Sequence, residues 1–142
     1  MAIKDGNLKT LTWLLSDLQL VDALKKAKAQ TIFAPSDVAF EELYWGNELW
    51  YMTNAQKMAL VLRHVVNGTT LLAADVTKGH IKTAGGESIF LYKNKRGEVK
   101  VTNLYAPMAM RQINVVTHDV KASNGVIHVI DEVICQYTNG YC

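Results

Sequence analysis

Six β-branched residues fall within nine positions near the C-terminus, in Val126-Ile127-His128-Val129-Ile130-Asp131-Glu132-Val133-Ile134. Such side chains are stiff at χ1 and suit a pleated strand. Because apolar residues occupy both faces, the strand must be covered on both sides. Ser123-Asn124-Gly125 precedes it, and Asn-Gly marks a turn because both residues enter positive φ cheaply. The stretch Ser123 to Ile134 therefore predicts a closing strand that slots into a sheet built by the earlier chain.

The earlier chain begins with helical spacing. Leu8, Leu11, Leu14, Leu15 and Leu18 lie on one stripe, with Asn7 available as an N-cap. Val21 and Leu24 continue it before Lys25-Lys26, as two short helices or one bent one. Gln30-Thr31-Ile32-Phe33-Ala34 is a short strand that Pro35 halts, because proline cannot donate to a ladder. Ser36 or Asp37 then caps a helix in which Val38, Ala39, Phe40 and Leu43 keep helical spacing. Asn54 is the expected cap of a further helix with Met58, Val61, Leu62, Val65 and Val66 on its apolar face, stopped by Asn67-Gly68. After Lys78-Gly79 the pattern turns to strands: Ile81 to Thr83, Ser88 to Tyr92, Val99 to Thr102 and Ile113 to Val116, separated by glycine turns and a Pro107 interruption. Helices first and strands later predict an α+β domain. At 142 residues the chain is expected to form a single domain, with its core over about 5–134 and a tail at 135–142.

Fifteen basic and thirteen acidic side chains leave a net charge of +2, too weak by itself to indicate nucleic acid or an acidic membrane. No stretch approaches the roughly 20 apolar residues that span a bilayer. Lys93, Lys95 and Arg96 cluster at an expected hairpin tip and read as a solvated loop. Cys135 and Cys142 could close a disulfide or remain thiols. Asn67-Gly68-Thr69 fits the N-glycosylation pattern. His64 and His128 lie in apolar elements and His80 and His118 in connections. None has the spacing of a metal pair, so no metal or cofactor is expected. Ser36 lacks a nucleophile elbow, and Asp131 and Glu132 on a strand would face opposite ways. Catalysis is not expected. Four aromatics, Tyr44, Trp45, Trp50 and Tyr51, crowd a short stretch, either as a buried connection or as an exposed partner surface.

Three segments resemble the fasciclin domain family. Thr31-Ile32-Phe33-Ala34-Pro35-Ser36-Asp37-Val38-Ala39-Phe40 resembles its first signature, and Asn124-Gly125-Val126-Ile127-His128-Val129-Ile130-Asp131 its second. Leu62-Arg63-His64-Val65-Val66-Asn67-Gly68 resembles its central segment, with Arg63 where a tyrosine is usual. The resemblance, to a fasciclin-like or β-ig-h3 type adhesion module, implies two β-sheets forming a wedge or sandwich with helices around it. It also implies a secreted, cell-surface or periplasmic module whose partners are a cell-surface or matrix protein, a glycan or another copy of itself. Nucleic acid and direct membrane insertion are not expected. The resemblance points to His64 and to Asp119-Val120, which stands where an Asp-Ile pair has been linked to integrin binding. In this reading Thr31, Phe33, Pro35, Ser36, Asp37, Phe40, Asn124, Gly125, His128 and Asp131 set the fold. The alternative is a small-molecule site or enzyme using Tyr105, Met108, Met110 and His118 around a 104–118 insertion.

Overall fold

The computed structural model describes residues 8–26, 29–42, 52–86, 88–103, 113–122 and 124–134. Among these, the helices are α1 (Lys9–Asp17), α2 (Val21–Lys26), α3 (Asp37–Glu42) and α4 (Asn54–Leu62). The strands are β1 (Gln30–Pro35), β2 (Val65–Asn67), β3 (Gly79–Lys82), β4 (Ser88–Lys93), β5 (Val99–Asn103), β6 (Ile113–Ala122) and β7 (Gly125–Ile130). No described helix is long and apolar enough to cross a membrane.

The strands form one mixed sheet in the order β2-β1-β7-β6-β5-β4-β3. β1 and β7 run parallel, and every other neighbouring pair is antiparallel. The expected pair of sheets is thus one hydrogen-bonded ladder, continuous through β6. The reason is length: β6 has ten residues, enough to pair β5 at Ile113 and Asn114 and β7 from Val115 onward. Asp131, just beyond β7, pins that junction. Its carboxylate accepts from the Asn114 backbone N–H and side-chain amide, both at 2.9 Å, and its own N–H donates to the Asn114 carbonyl.

Alternation along β1 and β7 creates two apolar cores. Ile32 and Ala34 on β1, with Ile127 and Val129 on β7, pack with Leu11, Leu14, Leu15, Phe40 and Leu60 from the helices. Phe33 and Ile130 face the other way, against Ile89, Leu91, Val99 and Val101 of β4 and β5. β7 is buried throughout from Val126 to Ile130, as its sequence demands. It closes the core in space by lying between β1 and β6.

Local chemistry explains the helix ends. α1 and α2 are two helices, separated where Gln19 takes a φ of 57°. α1 has no side-chain cap of its own at Leu8; Asp37 on α3 reaches across to accept the Thr10 N–H at 2.8 Å. Asn7 lies outside the described residues. Ser36 caps α3 by accepting the Ala39 N–H, so the serine and the aspartate serve different helices. Asn124 donates to the carbonyls of Leu24 and Lys25 and terminates α2.

Three expectations need correction. The cap of α4 is Thr53, reciprocally bonded with Gln56, and Asn54 is the first helical residue. Val65, Val66 and Asn67 are strand β2, so Asn67-Gly68 ends a strand rather than a helix. The β-branched Val65-Val66 pair finds ladder partners on β1, which outweighs its helical spacing. His80 and His118 lie in β3 and β6, not in connections.

Gly125 faces Gln30 where β7 meets β1, and a Cβ there would lie 2.2 Å from the Gln30 carbonyl oxygen. Gly125→Ala must push the two strands apart at the start of their ladder. Denaturant unfolding should show a loss of about 2–4 kcal/mol.

Candidate functional site

β6 follows β7 irregularly. Val115 pairs Ile130, Thr117 pairs Val129 and Val120 pairs Ile127, so β6 carries an extra residue in each interval. Such bulges bend a strand and re-aim its side chains. At the second, Asp119 adopts a φ of 59°, a conformation aspartate tolerates better than most residues. Beyond Asn114, β6 has no ladder partner on its β5 side among the described residues. Val116 is consequently 58% exposed, with Thr117 and His118 also exposed.

Three side chains from neighbouring strands fix the segment beside this bulge. The Thr31 hydroxyl on β1 donates to the Thr69 carbonyl at 2.9 Å and accepts the Leu71 N–H at 2.8 Å. His128 on β7 donates from Nε2 to the Leu71 carbonyl at 2.7 Å, and its Nδ1 accepts the Asp119 N–H at 3.2 Å. One neutral tautomer satisfies both bonds. Asp119 on β6 accepts the Ala73 N–H at 2.8 Å and, on its other oxygen, the His118 Nδ1–H at 2.9 Å. Phe33 stacks on the His128 ring at 5.6 Å between centroids. Thr31, His128 and Asp119 thus clamp four backbone groups between Thr69 and Ala73.

The electrostatics agree with this arrangement. Burial lowers the His128 pKa and keeps the ring neutral, opposed in part by its bond to Leu71 and by the Asp119 charge. Burial would raise the Asp119 carboxyl, but the bonds from Ala73 and His118, with the nearby imidazoles, outweigh it and hold the group below its usual range.

A second clamp involves His64. The ring is buried; Nδ1–H donates to the Leu60 carbonyl at 2.7 Å and Nε2 accepts the Ile134 N–H at 2.9 Å. Arg63, also buried, donates to the Ile134 carbonyl at 3.0 Å. Burial lowers the His64 pKa to about 4. Both nitrogens of His64 and both of His128 are committed to backbone partners, which leaves neither ring a free nitrogen for a substrate.

Of the residues expected to bind a partner, Asp119 lies at the bulge and Val120 beside it packs against the helix-side core. His64 is remote from solvent. Tyr44, Trp45, Trp50 and Tyr51 lie outside the described residues, as do Cys135 and Cys142. Tyr105, Met108 and Met110 do too, while His118, expected beside them, is exposed on β6. Asn67 is exposed at the end of β2. Among the described residues, no group of three or more His, Cys, Asp or Glu could hold a metal ion. The sequence reading left Val116 and Thr117 out of the surface. Its one signal was the adjacent Val115-Val116 pair, which breaks the in-out alternation of a half-buried strand.

An α+β fold with this mixed sheet has solved counterparts. The chain superimposes on the FAS1 domain pair from the insect cell adhesion molecule fasciclin I with a TM-score of 0.75 and 18% identity. The match covers 92% of this chain and 46% of that one, so it spans about half of the insect structure. The Fasciclin domain family matches residues 6–136, and the chain belongs to that family. Two relatives come from Synechocystis. Protein sll1483 is 36% identical over 94% of this chain and 70% of its own length, and uncharacterized protein sll1735 is 31% identical over 94% and 93%. The resemblance read from the two signatures and the central segment is borne out.

Two outcomes test the clamps. Asp119→Ala removes the acceptor for Ala73 and leaves alanine at positive φ, so chemical denaturation should show a loss of about 2–3 kcal/mol. Asp119→Asn keeps an acceptor oxygen and tolerates the conformation, and should lose under about 1 kcal/mol. His64 titrates near 6.5 when unfolded and near 4 in the fold. Between those values the unfolded chain binds the extra proton. Stability is therefore full above about pH 6.5 and falls by up to about 3 kcal/mol toward pH 4. Unfolding measured from pH 7.5 downward should show that slope, and His64→Gln should reduce it to the smaller slope that the lowered His128 pKa contributes.

Proposed function

We propose that the domain is a non-catalytic adhesion module that works outside the cell or at its surface and docks a cell-surface or matrix protein. The fasciclin family generally supplies interaction modules, and the insect counterpart of this fold is a domain pair from a cell adhesion molecule. The observation that carries the reading is the exposed edge of β6, where Val116, Thr117 and His118 project from a twice-bulged strand that has no ladder partner on its β5 side among the described residues. The clamp beneath fixes Asp119 and the Thr69-to-Ala73 segment, so little conformational entropy is lost when a partner docks. Asp119 supplies a charge at the bulge and anchors its shape, and Val120 supports it from the core side.

The test uses beads coated with the chain and cells of the organism that makes it. Val116→Asp places a charge at the centre of the edge without touching the core. Adhesion should weaken about thirtyfold, as for loss of a central contact worth about 2 kcal/mol, with an unchanged Tm. Full adhesion by a folded Val116→Asp variant would remove the edge from the reading. A reproducible thermal shift with a metabolite would instead favour a small-molecule site.

A further inference from the structure

Charge is unevenly distributed along the chain. Between Lys78 and Lys100 there are six basic side chains and two acidic ones, Glu87 and Glu98; the rest of the chain has nine basic and eleven acidic. This segment is therefore net +4 and the remainder net −2, a polarity that the overall charge of +2 conceals. The fold gathers the positive segment into β3, β4, β5 and their turns. Lys78, Lys82, Lys93, Lys95 and Arg96 are exposed there and Lys100 half-buried.

One face of these strands fills the core with Ile89, Leu91, Val99 and Val101. The register defines the other. Tyr92 sits opposite Lys100, and Lys100 opposite Asn114; the next row places His80 opposite Phe90 and Phe90 opposite Thr102; beyond it Lys82 faces Ser88. Rows lie roughly 6.6 Å apart along the strands. Lys78, one residue before β3, is level with Tyr92. The rings form a continuous strip, His80 to Phe90 at 5.0 Å edge-on and Phe90 to Tyr92 at 6.0 Å with a 41° tilt. His80 is exposed, while Phe90 and Tyr92 are half-exposed. A half-open aromatic strip thus lies among Lys78, Lys82 and Lys100. Lys100 also donates to the Asn114 side chain at 2.6 Å, and Glu98, which accepts from the Asn94 side chain at the hairpin tip, lies within reach of the Lys100 and Arg96 charges and offsets part of the positive field there.

We propose that this face binds a linear polysaccharide bearing carboxylate or sulfate groups. Aromatic faces are electron-rich and attract the weakly positive C–H faces of sugar rings. The flanking ammonium groups, each with three donors, meet the anionic substituents. A nucleic acid fits less well. The rings are inclined to one another, so they offer no parallel shelves on which successive bases could stack. Among the described residues the face meets β6 only at Asn114, through Lys100, and its rings and lysines are defined by the β3–β5 register, so the inference does not rest on the protein-docking reading.

The experiment immobilises alginate, dextran sulfate, neutral dextran and a dT oligonucleotide and measures binding of the full chain at low and moderate salt. Both anionic polysaccharides should bind, more weakly as salt rises, and neutral dextran should not. The double variant Lys82→Glu/Lys100→Glu should bind about tenfold more weakly. Tyr92→Ser should also weaken binding; if it lowers the Tm, His80→Ser on the exposed end of the strip takes its place. Val116→Ser, which trims the β6 edge without adding a charge near Lys100, should bind like the parent chain, which separates this site from that edge. Three results would overturn the proposal: no binding to either anionic polysaccharide, equal or tighter binding to the oligonucleotide, or loss with the lysine variants but none with either ring variant.

Discussion

The clamp on residues 69–73 is the contact on which the other features depend. Irregular backbone carries polar groups that no ladder satisfies, and leaving them buried without partners costs about 1–3 kcal/mol each. Thr31, His128 and Asp119 satisfy four such groups from three successive strands. They can do so because β1, β7 and β6 are neighbours in the sheet. The cross-strand order, the neutral state of His128 and the positive φ at Asp119 all follow from one requirement, that a short connection be bonded at every level.

β6 divides the molecule's labour. Its first two residues tie β7 to the β3–β5 half, where one face fills the second core and the other presents rings and lysines. Its remaining residues leave β5 behind and follow β7 through two bulges, exposing Val116 to His118. Asp131 holds Asn114 where the two roles meet.

Much of this was legible in the sequence. The buried character of β7 followed from its apolar, β-branched residues on both faces around His128, and the β1–Pro35–α3 corner followed from chemistry confined to a few residues. The family could be read because Thr31 to Phe40 and Asn124 to Asp131 each form a long, specific pattern. What escaped depended on distant partners. Val65 and Val66 had helical spacing, and only their pairing with β1 made them strand. Asp37 read as a cap for its own helix, whereas it caps α1 across space. The bulges in β6 leave little local mark beyond the Val115-Val116 pair, because an extra residue in one strand is defined only against its neighbour. The cationic face was hidden for a similar reason: its residues alternate with core residues along three strands and assemble only when the register is known.

The parallel pairing of β1 with β7 has a consequence for how the protein is made. Residues 30–35 meet residues 125–130, so the central ladder joins segments separated by most of the chain. Contacts this non-local form late, since a long loop must close before they contribute. During synthesis the apolar strand Thr31 to Ala34 leaves the ribosome long before its inner partner exists. Until then, the helices that share its first core and β2 at one edge are in place to shield it. The early helices, joined by the Asp37 bond to the start of α1, thereby act as a temporary cover for a strand awaiting β7.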